Sequence, residues 1–428
     1  MKKEAVEIPV LFKDKNFRDL LRSAQRRALT WEQFLAHPLP TGLSAYDCWR
    51  VMESLGRCQG VHLFEGFDGD LVWYRRTYEL ERLSLELDQL GRPGSTLDRA
   101  IKESVSDGLA HDLWLRELRA SFDRSGITPE EILAPKSASE NTTLDGLERI
   151  AANTIALEGK LDEFTDRPLE RSLLADLREL LTEGVSSASL DEYAKKLGVD
   201  CGSKYQTDSA EATALRALEY AQEGEPHSED LPVLRALIVS ETLRLVRAGG
   251  VAYAPLSSLL RRLIFLKDGF DALAVLPFSE TYCAWKRGQF LNDSPYSFDE
   301  CRHTMRHIVG DRSLLSTVGL LCLERTANDA AALAEKLAQA QCALEEVCRE
   351  DGRINARQRT ILAKAFAEPG HTFTVESHRL VHGISYATSR RDLIGLQESG
   401  FLDFKHQGKA HAYVASKSFL KFRSTYHA

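Results

Sequence analysis

The sequence lacks the features that would place a chain in a membrane or stiffen it with disulfides. None of its apolar runs approaches the roughly 20 residues needed to span a bilayer, and the opening MKKEAVEIPV is not followed by the apolar core of a secretory leader. The eight cysteines (Cys48, Cys58, Cys201, Cys283, Cys301, Cys322, Cys342 and Cys348) are scattered and include no CxxC pair. That pattern argues against a disulfide framework and suits reduced thiols. Cys301, His303 and His307 lie close together, but their i, i+2, i+6 spacing does not bring three side chains to one helix face, so no metal is expected. These absences predict a cytoplasmic protein with no membrane segment, no metal and no cofactor.

What is present is an ordinary globular composition, 43% hydrophobic and 28% charged over 428 residues, enough for two or three cores. The net charge of −8 conceals an asymmetry. From Ile354 to Ala428 there are 11 Lys and Arg against 5 Asp and Glu, a net +6, with six of the twelve histidines; the rest of the chain carries −14. A basic tail on an acidic body has the electrostatic footprint of a nucleic-acid-binding appendage. A tail that docks on its own acidic body would carry the same charge.

Patterning along the chain predicts a mainly α protein. Amphipathic runs open the sequence, broken at HPLPTG, with Trp31, Leu39, Leu43 and Trp49 expected to bury together. GVHLFEGFDGDLVWYRR reads as a short β excursion, and helical patterns resume over Thr77–Ala120. Residues 128–146 read as a polar connection. Helices are expected at Leu147–Leu161 and Leu169–Thr182, and a long loop or hairpin over Val185–Ala210. The segment LPVLRALIVSETLRLVR (231–247) reads as a helix buried on most sides. A further helix is expected over Ser257–Leu266, after Pro255 and before Gly269-Phe270. Over 326–349, Ala330, Leu333, Leu337, Ala340, Leu344 and Val347 step by 3 and 4, which is either an internal packing seam or a spacer that pairs two copies as a homodimer.

Several of these segments resemble the Fic family of bacterial proteins. TWEQFLAHPLPTGLSAYDCW is similar to the family's W-x-x-L…PLP-x-GLS…W opening segment. LPVLRALIVSETLRLVR resembles the helix HPVIRAxxxHFxLxxIH that delivers the family's catalytic histidine, and SSLLRRLIFLKDGFDALAVLPFS continues that frame without a gap. ISYATSRRDLIGLQESGFLDF tracks VxYxTARxDLxxLxxxGLLxx, part of the winged helix-turn-helix that ends many of these proteins. The resemblance implies an all-helical Fic-like core with an N-terminal helical region and a small α+β winged helix. Its expected limits are 1–127 for the N-terminal helices, 128–310 for the core, 311–352 for a helical spacer and 353–428 for the winged helix.

The chemistry of the family motif HPFxDGNGRxxR does not carry over. Active relatives use its histidine as general base on a target hydroxyl, its acid to hold magnesium, and its glycine-rich turn and arginines to hold nucleotide phosphates. The resemblance places Arg247 at the histidine position, and a guanidinium does not accept a proton near neutral pH. Ala248-Gly249 stand at Pro-Phe, and Val251, which does not ligate a hard cation, stands at the acid. Ala252-Tyr253-Ala254 replace Gly-Asn-Gly, Pro255 replaces the first arginine and removes an N–H donor, and Ser258 replaces the last. Many Fic proteins also restrain themselves with a helix carrying [ST]xxxE[GN]. Thr154-Ile-Ala-Leu-Glu158-Gly159 matches that pattern literally. Ser121-Phe-Asp-Arg-Ser125-Gly126 fits the family order better and is preferred here, with Ser125 at the glutamate position.

In the tail, Arg357–Phe366 and Val375–His382 are expected as the first two helices, Gly383 as the turn and Tyr386–Ser399 as the recognition helix. Strands Phe401–Phe404 and Ala410–Val414 would flank a wing. Leu393, Leu396 and Ser389 are expected to face inward. That leaves Thr388, Arg390, Arg391 and Gln397 outward, with Lys405, Lys409 and His411 available to phosphate from the wing. The reading that follows is a catalytically inactive Fic-like protein that binds double-stranded DNA as a regulator or adaptor. Two alternatives stand beside it. One is an active adenylyltransferase passing AMP from ATP to a protein hydroxyl, and the other is a scaffold holding a protein partner in a mobile-element or phage-defence system.

Overall fold

The computed structural model describes residues 11–66, 69–104, 108–122, 146–197, 204–222, 231–247, 250–289, 295–305, 310–350, 354–407 and 410–426. The chain is mainly α: 73% is helical, and the strands form only small antiparallel sheets. It divides into two compact units. The first comprises residues 1–91, 145–270 and 278–325, and the second comprises 92–144, 271–277 and 326–428.

The first unit opens with three capped helices. Asp14, Thr30 and Ser44 each accept backbone N–H groups in the first turns of Lys15–Arg26, Trp31–Leu35 and Ala45–Gln59, satisfying donors that a helix start leaves unpaired. Phe17, Leu20, Phe34, Trp49 and Met52 form their shared core, and Trp31, Leu39 and Leu43 pack on it half-buried. The rings of Trp31, Phe34 and Trp49 meet at centroid distances of 4.9–5.3 Å. The expected β excursion is a hairpin, Val61–Glu65 against Leu71–Tyr74, irregular between His62 and Phe64. Residues far along the chain lock it. Trp73 N–H donates to Gly310 O at 2.9 Å, Arg312 N–H donates to Trp73 O at 2.8 Å, and Arg75 N–H donates to Ser313 Oγ at 2.7 Å. Gly310 has φ +84°, and a Cβ there would stand 2.2 Å from Leu71 O, so only glycine fits.

The centre of this unit is the helix Pro232–Val246. Proline sits in its first turn, and every residue from Val233 to Leu243 is buried. A helix apolar all round needs neighbours all round. Tyr253–Lys267, Lys204–Ala221 and Tyr78–Gly91 supply them. Arg235 ties this layer together, donating to Ala221 O at 3.2 Å and to Asp268 Oδ1 at 3.3 Å.

Three sequence expectations are corrected. The stretch 185–210 is largely helical rather than a loop, with helices Ser187–Leu197 and Lys204–Ala221. Ser186 begins the first through its side chain, and Ala214, Ala217, Leu218 and Ala221 bury the second against Pro232–Val246. The helix expected from Ser257 starts earlier, at Tyr253. The seam helix is also longer than its repeat, running 38 residues from Ser313 to Glu350. Ala330, Leu333, Leu337, Ala340 and Leu344 are all buried within the chain, so packing inside the chain already occupies the seam proposed for a homodimer.

The second unit holds Thr96–Glu103, Gly108–Ser121 and the tail. The tail runs helix Ala356–Ala367, short strand Phe373–Thr374, helices Val375–His382 and Tyr386–Glu398, strands Leu402–Gln407 and Ala410–Ala415, and a final helix Lys417–Tyr426. Its sheet order places the last strand in the middle, with Phe373–Thr374 and Leu402–Gln407 on either side, both antiparallel to it. The closing helix has no counterpart in the sequence reading; Phe419 and Phe422 seat it against Phe366.

Candidate functional site

Two places bear the residues singled out by sequence. The first is the junction between the helices Pro232–Val246 and Tyr253–Lys267. Arg247 caps the first helix with φ 51° and ψ 38° and is the one non-glycine residue with positive φ among the described residues. Left-handed backbone costs a residue with a Cβ about 1–2 kcal/mol. Residues 248 and 249 lie outside the described residues. Val251 and Ala252 are buried in a short 3-10 turn, and Tyr253 and Pro255 lie in the first turn of the next helix, Pro255 buried. Ala252 caps that helix without a side-chain hydrogen bond. Ser258 is buried one turn further on, where Arg261 donates to its Oγ at 3.4 Å.

Beneath this junction lies a buried polar network that the sequence reading missed. Ser240 and Ser257 share a hydrogen bond of 2.9 Å, and Arg244 donates from Nε to Ser257 Oγ at 2.9 Å and from NH2 to Ser279 Oγ at 3.0 Å. The Arg261 guanidinium lies 4.4 Å from the Phe278 ring centroid. Glu241 is fully enclosed, and neither of its carboxylate oxygens makes a hydrogen bond of good geometry. Burial pushes its carboxyl up to about 8, against the opposing pull of Arg312, Ser316 and Arg244. The group is therefore largely protonated at neutral pH. Gly319 makes room for it: a Cβ there would come within 2.6 Å of Glu241 Oε1. The available signal was an acid inside the apolar run ALIVSETLRL.

The literal match at Thr154–Gly159, set aside on family order, packs against the second of these helices. Glu158 pairs with Arg262, the two side chains being 1% and 10% exposed. Thr154 closes on its own helix, donating to Ile150 O at 2.7 Å. Ser125 lies outside the described residues. His307 of the Cys301–His303–His307 cluster lies outside the described residues.

The second place is the outward face of Tyr386–Glu398. Ser385 caps it, accepting from Thr388 N–H at 3.2 Å, and Gly383 makes the preceding turn with φ 60°. Its inward face is fixed. Leu393 and Leu396 are buried, and Ser389 donates to Val375 O at 2.6 Å. Asp392 accepts from Arg357 Nε at 2.8 Å and Asn355 Nδ2 at 2.9 Å, with His378 Nε2 at 3.1 Å. Burial pushes the Asp392 carboxyl up, but the hydrogen bonds from Arg357, Asn355 and His378 outweigh it and hold the group below the usual carboxylate range. Arg390, Arg391 and Gln397 are exposed on the opposite face and Thr388 is half-buried. Lys405 is exposed on the strand Leu402–Gln407, whereas Lys409 lies outside the described residues. Arg390 and Arg391 have no ion-pair partner among the described residues. Of the tail's acids, Glu368 is engaged by Lys364 and His371, and Glu376 by Arg379.

No family model matches the chain, and no curated protein matches it. Among solved structures it is similar to a Fic family protein from Desulfovibrio desulfuricans G20, at 13% identity and a TM-score of 0.37, over 79% of this chain and 94% of that one. That likeness is too coarse to support a residue correspondence.

Proposed function

We propose that this chain is a DNA-binding regulator whose tail, residues 354–428, is a winged helix that reads duplex DNA, and whose body keeps a Fic-like frame without nucleotide-transfer chemistry. The observation that carries the reading is the two-sided construction of Tyr386–Glu398. One face is pinned by Ser389, Asp392, Leu393 and Leu396, and the other presents Arg390 and Arg391 to solvent near the helix start. Residues early on a recognition helix reach base edges, and a bidentate arginine reads guanine. In this reading Thr388, Lys405 and Lys409 serve phosphate positioning.

For the body, Arg247, Val251, Tyr253, Pro255 and Ser258 supply no general base and no cation ligand at the positions where the family resemblance places its chemistry. The test is an anisotropy titration of the full chain against duplexes from its own promoter region at two salt concentrations. We expect affinity that falls steeply with salt. Arg390→Ala with Arg391→Ala should lose about 2–4 kcal/mol if either side chain reads a guanine. Undetectable binding by the wild-type protein overturns the reading. Transfer of labelled AMP to lysate proteins overturns its second half.

A further inference from the structure

The second unit contains a cavity of about 90 Å³. Its walls come from the helices Gly108–Ser121, Ala356–Ala367 and Val375–His382, with Leu337 and Gln341 contributed by the long helix. The lining surface is mostly apolar, with Leu109, Ile361, Phe373 and Val381 around it, and its polar residues include His378, His382 and Arg119. Lys364 also reaches the cavity, but Asp112 and Glu368 hold its ammonium at 2.9 and 3.0 Å, so it contributes little net charge.

Hydrogen bonding at this site is incomplete. The rings of His378 and His382 meet at 4.7 Å, and His378 Nε2 is engaged by Asp392, yet neither ring nitrogen of His382 makes a hydrogen bond to a described residue. His382 lines the cavity, so a ligand edge or water there can complete its bonding. Burial, reinforced by the positive charges of His378 and Arg357, pulls His382 down to about 4, so its ring is neutral at physiological pH and presents one donor and one acceptor.

We propose that this cavity binds a small uncharged heteroaromatic ring with a donor–acceptor edge, the chemistry shared by nucleobases and aromatic amides, with that edge on His382 and the ring body between Leu109 and Val381. Full-sized ligand sites enclose several hundred Å³. A space this small takes one ring and leaves any substituent at the mouth. The ring is sensed through a short path, since His378 lines the cavity and binds Asp392 on the inward face of Tyr386–Glu398. Filling the cavity stiffens that helix whether or not its outer face reads DNA.

The experiment uses the full chain and four probes: cytosine, adenine, benzamide and, as a charged comparison, benzoate. Binding is read from the histidine ring resonances by NMR, and the helix from amide hydrogen exchange over residues 386–398. At least one neutral probe should bind with a dissociation constant on the order of 1 mM or tighter, shift the His378 and His382 signals and slow exchange in that helix, while benzoate binds more weakly. Gly108 supplies the control. A Cβ there stands 3.4 Å from Thr360 and 3.9 Å from Val381, so Gly108→Ala is accommodated and should bind normally. Gly108→Leu extends into the cavity and should weaken binding about tenfold or more. Thr360→Phe fills it from another wall and should do the same, and circular dichroism confirms that each variant folds. If no neutral probe moves the histidine signals, or if both filled variants bind as the wild type does, the site is refuted.

Discussion

Replacing Glu241 by glutamine should make the protein more stable at high pH and leave it nearly unchanged at low pH. In the folded chain this carboxyl titrates near 8, against 4.5 for an unhindered glutamate. Between those values the unfolded chain has released its proton while the folded chain still holds one. Raising the pH through that window therefore draws the equilibrium toward the unfolded state. The stabilising contribution is complete below about pH 4.5, declines through the window and is lost above about 8. At about 1.4 kcal/mol per pH unit, the full window sets an upper bound on the order of 5 kcal/mol. Glutamine has the shape of the protonated acid, keeps a donor and an acceptor among Ser316, Arg244 and Arg312, and never ionises. Urea unfolding of wild type and Glu241→Gln at about pH 5 and pH 8 isolates this group, because every other titration is common to both proteins. We expect near-equal midpoints at pH 5 and a higher midpoint for the variant at pH 8. Parallel pH dependences in the two proteins would falsify the assignment of a buried, protonated acid.

Three further outcomes follow from the packing. Glu158→Ala leaves the Arg262 guanidinium buried without its carboxylate, and the urea midpoint should report a loss of about 3–5 kcal/mol; the double change to Glu158→Leu and Arg262→Met should lose less, because no charge is then stranded. Gly310→Ala forces a Cβ onto Leu71 O, and it should cost about 2 kcal/mol or more, with faster hydrogen exchange at the Trp73 amide than in wild type. Asp392→Ala removes the acceptor shared by Arg357, Asn355 and His378, so amide exchange across Val375–Glu398 should accelerate by an amount equivalent to about 2–4 kcal/mol, while a variant at exposed Gln397 leaves it unchanged.

The elements with strong periodic or capping signals were legible in sequence. The largely apolar segment 231–247 announced the central helix, Gly383 announced the turn in the tail, and the 3-4 stepping of Ala330–Leu344 announced a helix. The stepping did not reveal what covers that face, because a coiled-coil seam and an internal packing seam have the same period. Polar Val185–Ala210 read as a long loop or hairpin because its apolar residues recur too irregularly to give a helical period. At the candidate sites, surface residues such as Arg390 could be placed by periodicity. Partnerships across the fold could not: nothing local connects Glu158 to Arg262, Gly319 to Glu241, or His378 to Asp392.

The lock on the hairpin also sets an order of events in synthesis. A two-stranded hairpin is marginal by itself. Val61–Glu65 and Leu71–Tyr74 emerge early, but the backbone groups of Gly310 and Arg312 that secure Trp73, and the Ser313 hydroxyl that takes the Arg75 amide, come much later; Ser313 follows Arg75 by 238 residues. At about 5–20 residues per second, that interval is roughly 12–48 s. For that time Trp73, which is fully buried in the finished chain, has no native cover from this segment. The nascent chain thus carries a sticky apolar edge through most of its own translation, and a ribosome that stalls before Gly310 releases a product unable to close it.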